Sequence, residues 1–264
     1  MDIVGTFPFG QPIVRLVHRD RTKKRVFVLG VYASAVHARW VGEDGRQKIG
    51  AIAVASEPEI FWRGNQHAAQ EIVSAIRLPA GAGRLAPASA QLNGPSGKAL
   101  DQLFLEPLGD RAREDAWLCD LVPHSCMNEK QALALRREYD PLRASLGLPA
   151  YDWPLLPGEL ADGRRRAEIE GELLESGAEI MITLGDLPLR WFTQYHGTAA
   201  KLLAYGQTAP EYGRLHRISI AGRKLHLLPL VHPRQAARLG SYSAGWAGVH
   251  DAWIASRPSG LCVA

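Results

Sequence analysis

Cysteine and methionine are scarce in this chain of 264 residues, with three of each. Cys119, Cys126 and Cys262 form no C-x-x-C pair, and an odd, low count argues against a disulfide framework and against a cysteine-only metal or iron–sulfur site. Lysine is also thin: arginine supplies 24 of the 31 basic residues. No apolar run approaches the ~20 residues that a membrane-spanning helix needs. Met1 to Gly10 lacks a basic stretch followed by an apolar one, so no signal peptide is expected and the expected location is cytoplasmic.

What is present is an ordinary globular composition, 46% hydrophobic and 22% charged, enough to bury a full core. The length suits one domain over residues 1–264, with its core at about 25–256. A net charge of +4 is a mild surplus that slightly favours a polyanionic partner. The basic residues cluster at Arg15–Arg25, at Arg164–Arg166 and at Arg214–Arg217, and each cluster reads first as a solvated face.

Along the chain, Val26–Leu29 reads as a buried strand stopped by Gly30, and Lys48–Ala55 as a second strand. Gln66–Ile76 has helical spacing. Lys98–Leu108 carries Leu100, Leu103, Phe104 and Leu108 on one helical stripe. Trp117–Val122 is a strand, and a helix opens at Asn128 with Gln131 as its capping-box partner. Arg164–Ser176 is an amphipathic helix closed by Gly177, followed by the strand Glu179–Leu184 and the turn residue Gly185. Arg214–Ile220 and Lys224–Val231 flank Ala221-Gly222-Arg223 as a hairpin, and a last helix carries Trp246, His250 and Trp253. Strands alternating with helices predict an α/β fold with a mainly parallel sheet. Ligands bind beyond the carboxyl ends of such strands, which points to four exit loops: Gly30–Trp40, Asp120–Asn128, Gly185–Leu189 and His232–Leu239.

The most specific segment is Leu92-Asn93-Gly94-Pro95-Ser96-Gly97-Lys98, a tight loop entering a helix. It is not a Walker A loop, because position 92 is leucine and Lys98 is followed by Ala99. With Ala99-Leu100-Asp101 it is similar to the F-x-G-x-A/S-G-x-x-L-D loop and helix of the thermophile-type uracil-DNA glycosylases. Leu108-Gly109-x-Arg111 and Trp117–Pro123 resemble that branch's next two stretches. Glu179–Gly185 resembles its "vivtLG" strand, and His232-Pro233 its His-Pro motif. Gly30–Ser34 falls where the family carries its first motif, G-x-x-P-G. Five segments occur in the family's order between residues 26 and 256.

The resemblance implies a three-layer α/β/α sandwich around a central four-stranded, mainly parallel sheet. It also implies base flipping, in which a nucleotide leaves the DNA stack at a cost of a few kcal/mol. A donor to the departing, anionic base is worth roughly 3 kcal/mol by analogy with oxyanion holes. His232 matches the motif histidine in that role; its structural alternative is a histidine capping a strand end. Asp120 stands where the family has its base-reading asparagine. An ionised carboxylate only accepts hydrogen bonds, so Asp120 should disfavour uracil unless it stays protonated in a dry pocket. Arg234 to Leu239 occupy the wedge loop, with Arg234, Arg238 and Leu239 as candidate DNA contacts. Gly30, Val31, Tyr32, Leu92, Gly94, Ser96, Gly97 and Lys98 are the candidate substrate-binding positions.

The first motif departs from the family: Val31, Tyr32 and Ala33 offer no usual water-positioning group, and Asn93, His37, Glu43, Asp44 or Asp120 are the possible substitutes. Tyr32, Phe61 or Trp62 are the candidates for the stacking aromatic now absent at Leu92. No iron–sulfur cluster, metal or other cofactor is expected, since only Cys126 falls near a cluster position and His124 stands where a cysteine would be. Three readings stay open. They are a monomeric DNA glycosylase with altered base preference, a nucleic-acid binder that has lost hydrolysis, and an enzyme acting on a free nucleotide or nucleoside.

Overall fold

The computed structural model describes residues 2–109, 113–208, 211–239 and 243–256; Arg111 and Cys262 lie outside them. In chain order the strands are β1 (Ile3–Thr6), β2 (Pro12–Val14), β3 (Val26–Tyr32), β4 (Ala35–Val41), β5 (Gln47–Ser56), β6 (Arg84–Pro87), β7 (Ala116–Val122), β8 (Ile180–Leu184), β9 (His216–Ile220) and β10 (Arg223–Leu230). The α-helices are α1 (Gln66–Ser74), α2 (Pro95–Leu100), α3 (Glu129–Ala134), α4 (Asp140–Arg143), α5 (Gly163–Ser176), α6 (Asp186–Trp191), α7 (Pro233–Ala236) and α8 (Ser243–Ser256). Within the 264 residues read from sequence as one domain, the chain gathers into two compact units.

The first unit combines Met1–Leu16, Tyr32–Pro95 and Pro123–Gly158. It holds the antiparallel pair β1-β2 and an antiparallel three-stranded sheet of order β5-β4-β6. Its core joins Phe7, Phe9, Trp40, Ile52, Val73, Tyr139 and Trp153, all buried. Phe9 has a left-handed backbone (φ 69°), a conformation that costs an L-residue about 1–2 kcal/mol. The buried Tyr139 hydroxyl holds it there, accepting from the Phe9 N–H (3.2 Å) while donating to the Pro149 carbonyl (2.8 Å). The stretch expected to be an exit loop from Gly30 to Trp40 is largely strand β4: residues 35–41 alternate buried and less buried positions, and that period pairs them with β5 and β6.

The second unit combines Val17–Val31, Ser96–Val122 and Glu159–Ala264. It is built on a mostly parallel sheet of order β7-β3-β8-β10-β9. β3, β8 and β10 run parallel in the register Val26↔Ile180↔His226 to Leu29↔Thr183↔Pro229. The Arg25 N–H donates to the Asp115 carbonyl (3.2 Å), so β7 starts beside β3 and runs parallel to it. The sheet has five strands where four were expected. The added strand is β9, which the turn at Ala221 (φ 49°) and Gly222 (φ 79°) folds back antiparallel on β10; two consecutive left-handed residues match the twist of a tight hairpin.

Gly30 does not stop β3, which continues to Tyr32; glycine in extended conformation is no barrier to a strand. The stretch after Lys98 is helical, but α2 loosens into a π-helical turn at Asp101–Leu105 and tightens into a 3-10 turn at Glu106–Leu108. The wider turn rotates the stripe, so Leu105 is buried alongside Leu100, Phe104 and Leu108, and Leu103 is not. The helix starts read from sequence are found: Asn128 and Gln131 form a reciprocal capping box on α3, and Asp162 caps α5, which Gly177 closes in a left-handed turn. No helix among the described residues is long and apolar enough to cross a membrane.

Tyr139→Phe should lower the unfolding free energy by about 1–3 kcal/mol, since two buried main-chain groups lose their partner while the ring packing remains. Urea unfolding midpoints within error of the parent protein would contradict that role.

Candidate functional site

In the second unit the carboxyl ends of β7, β3, β8 and β10 lie side by side, and they carry Asp120, Gly30, Gly185 and His232 in turn. His232 follows β10 by two residues and is the N-cap of α7. Its main chain is held from several sides. The Gly185 N–H donates to the Leu230 carbonyl (2.7 Å), and the His232 carbonyl accepts from the Gln235 (2.8 Å) and Ala236 (3.1 Å) amides. At Gly185 an added Cβ would make ordinary contact with the His232 Cβ at 3.5 Å, but the backbone there is left-handed (φ 86°). That position tolerates only glycine without strain.

The imidazole is fixed as well. Its Nδ1 accepts the Arg234 N–H at 3.2 Å. In a neutral ring an accepting Nδ1 leaves the proton on Nε2, which is then a donor. The ring keeps part of its surface exposed, yet burial first and the charge of Arg234 second push its pKa down to about 4. At neutral pH, His232 is therefore an uncharged imidazole with its proton on Nε2.

Asp120 sits within β7, which lies beside β3 in the strand order β7-β3-β8-β10, while Leu29, Thr183 and Pro229 form a row across the other three strands. Three strand spacings, about 14 Å, separate its backbone from that of β10. The side chain is 3% exposed, and burial pushes the carboxyl up to about 7 against the opposing charge of Arg165, with Glu172 adding to the rise. No hydrogen bond contributes to that balance, so the acid is desolvated rather than saturated.

What holds the Asp120 main chain is Arg165 of α5. Its guanidinium donates to the Asp120 carbonyl (2.7 Å) and the Leu121 carbonyl (3.1 Å), reaches the Cys119 sulfur at 3.2 Å, and pairs with Glu168 and Glu172. From sequence, Arg164–Arg166 looks like one solvated basic face. The helical turn instead splits it: Arg164 points to solvent, Arg165 is buried against β7, and Arg166 lies over the Tyr195 ring at 3.9 Å. A strand followed by a helix with arginine at an inward position is the only trace of this in the sequence.

Beyond His232, α7 ends in a Schellman turn, with the Leu239 amide bonded to the Arg234 carbonyl (2.7 Å) and the Arg238 amide to the Gln235 carbonyl (3.1 Å). Arg238 occupies the left-handed position of that turn (φ 58°), where glycine is usual. Its side chain is exposed and pairs with Asp251 of α8 at 2.6 Å. The Arg234 guanidinium turns back to the Leu239 carbonyl (3.4 Å). Val31 is buried at the end of β3; Ser96 and Gly97 belong to α2, and Lys98 is exposed on it.

The remaining candidates belong to the first unit. Tyr32 is 41% exposed, and Leu92 is half-buried. Gly94 (φ 77°) packs so tightly on residues 63–64 that a Cβ there would lie 2.4 Å from the Gly64 nitrogen. Asn93 is buried with both ends of its amide engaged: Oδ1 accepts the His37 N–H (2.8 Å) and Nδ2 donates to the His37 carbonyl (3.1 Å). That is the work of a clamp on β4, and it leaves the amide little capacity for a water molecule. His37 Nε2 in turn accepts a hydrogen bond from the Nε2 amide of Gln131 (3.3 Å). Ala33 is buried and apolar, as the sequence indicates.

The fold thus defines an α/β protein with two desolvated titratable groups at one end of a mostly parallel sheet. No family model matches the chain, and no curated protein matches its sequence. Among the described residues no cluster of histidine, cysteine, aspartate or glutamate is arranged to hold a metal ion.

The two groups should pull stability in opposite directions with pH. His232 has a lowered pKa, so the unfolded chain binds the extra proton and stability falls as pH drops from 6.5 through about 4. Asp120 has a raised pKa, so the folded chain binds the extra proton and stability falls as pH rises from 3.8 to about 7. Asp120→Asn should gain a few kcal/mol over the parent at pH 8 and nothing at pH 3.5 in urea unfolding. A difference that does not vary with pH would remove the buried acid from the account.

Proposed function

We propose that this chain is a divergent member of the uracil-DNA glycosylase superfamily, a DNA glycosylase that flips a damaged or modified base out of DNA and hydrolyses its N-glycosidic bond. The observation that carries the reading is the neutral imidazole of His232, locked as an Nε2–H donor at a strand end. As the bond between base and sugar breaks, its electron pair moves onto the base. A donor already aimed at the base oxygen stabilises that charge without first losing a proton of its own. Water then adds to the cationic sugar carbon, and the proton it loses balances the one the departed base anion takes up from solvent.

Asp120 reads the base in this proposal. With a pKa of about 7 it is both donor and acceptor below neutrality and acceptor only above it. The protonated acid suits a base edge with one N–H and one carbonyl. The ionised form suits an edge offering N–H groups. Arg238 and Leu239, presented by the strained turn after α7, are the proposed wedge that fills the stack behind the flipped base. The proposal extends to a three-layer α/β/α arrangement, to a monomer working in the cytoplasm, and to DNA as the partner, with no metal or cofactor.

A second reading, a binder without hydrolysis, draws support from Val31, which is buried and apolar where one branch of the family has a glutamate, from Tyr32, which stands where others have aspartate or asparagine, and from the engaged amide of Asn93. Oligonucleotides bearing uracil, hypoxanthine or 5-modified cytosines, followed by alkaline cleavage of abasic sites, separate the readings. Release from at least one substrate is expected, with His232→Ala lowering the rate about 10²–10³-fold and changing DNA affinity little. No release together with tight, salt-sensitive DNA binding would hand the protein to the second reading. Weak binding that salt does not alter would favour a free nucleotide or nucleoside as the ligand. Asp120→Asn should shift preference towards uracil; an unchanged substrate profile would take Asp120 out of base reading.

A further inference from the structure

One peptide plane, that between Leu230 and Val231, is held at both edges immediately before His232. Its carbonyl accepts from the Gly185 amide at 2.7 Å, and its N–H, on Val231, donates to the Tyr212 hydroxyl at 3.0 Å. The Tyr212 hydroxyl lies 2.7 Å from Nδ1 of His250, and Nε2 of His250 lies 2.9 Å from the Leu103 carbonyl. Tyr212 and His250 are both buried, at 2% and 0% exposure.

With one proton on the His250 ring, the hydrogen bonds of this row run in a single direction. A carbonyl accepts, so Nε2 of His250 carries the hydrogen toward Leu103. Nδ1 of the uncharged ring is then an acceptor, so the Tyr212 O–H points at it. The Tyr212 oxygen keeps a lone pair for the Val231 N–H. Burial holds the phenol far above its ordinary pKa, so it stays a donor. Reversing any one bond would leave a buried polar group unpaired. The ring of Tyr212 is fixed in turn against Trp246, His250 and Trp253 of α8. An added Cβ at the neighbouring Gly213 would lie 2.1 Å from the Trp253 indole nitrogen.

We infer that Tyr212 and His250 are positioning residues for His232: through the Val231 N–H they set the chain direction at which His232 meets the Arg234 amide, and so keep its proton on Nε2. The kinetic consequence of this inference rests on the glycosylase reading; the effect on the imidazole does not. The distance of His250 from His232 along the chain, and its place in a helix otherwise read as packing, explain why the sequence gives no sign of it.

The test is Tyr212→Phe, which removes one oxygen and keeps the ring, set beside Trp253→Phe, which disturbs the same aromatic cluster and loses the bond from the indole to Gly213 without touching Val231. The ¹⁵N signals of His232 at pH 7 are read in each. In the parent protein and in Trp253→Phe they should show the pure Nε2–H tautomer. In Tyr212→Phe they should shift to a mixture of tautomers. If Tyr212→Phe does not fold, His250→Phe, which breaks the row one step earlier, carries the same readout. On whichever base the parent protein releases, kcat should fall about tenfold in Tyr212→Phe with KM little changed. Unshifted His232 signals in a folded Tyr212 or His250 variant would overturn the inference whatever the activity. The same loss of tautomer in Trp253→Phe would overturn it too, reducing the row to packing. A shifted spectrum in a protein that releases no base from any substrate would leave the positioning role standing and remove the glycosylase reading alone.

Discussion

The hydrogen bond from the Arg234 amide to Nδ1 of His232 decides what that imidazole can do. A histidine in water near neutrality exchanges between two tautomers and a cation. Here one nitrogen is occupied by a main-chain donor and the surroundings resist a second proton, so a single state remains, with Nε2 as donor. A group in one state needs no reorganisation when charge develops beside it, which is the physical content of preorganisation. The turn into α7 supplies that bond, and the peptide just before His232 is pinned at both edges, by the Gly185 amide and the Tyr212 hydroxyl.

At the other end of the row of strands the constraint is desolvation. Asp120 is buried, and the cation that opposes its desolvation, Arg165, spends its guanidinium on main-chain carbonyls and on Glu168 and Glu172. A carboxyl in that position costs stability when ionised. Groups with displaced pKa values cluster where chemistry or recognition uses them, which is why the proposed function gives a role to each. Their pKa values are displaced in opposite directions, about 7 and about 4, so both are largely uncharged just below neutral pH.

Several elements were legible because they depend on local chemistry. Asn128 with Gln131, and Gly177, mark helix ends by hydrogen bonds and backbone angles that span only a few residues. The apolar runs of β3, β7, β8 and β10 announce strands buried on both faces. Other elements were not legible. The apolar stripe after Lys98 does not reveal a π-helical turn, because the turn depends on what the helix packs against. The alternation at residues 35–41 fits a loop near a site as readily as a strand until β5 and β6 are there to pair with it.

By itself the sequence determined where the parallel strands lie, and that a histidine follows one of them while an acid falls near the carboxyl end of another. Both follow from periodicity and from short-range capping rules, which need no partner distant in the chain. Only the tertiary structure decided how those two side chains are charged and that Asn93 is a clamp on β4. It alone brought Tyr212, His250 and Leu103 into one row behind Val231 and turned Arg165 inward beneath Asp120. Proton positions and pKa values depend on desolvation and on hydrogen-bond partners tens of residues away, and those exist only once the chain has folded around them.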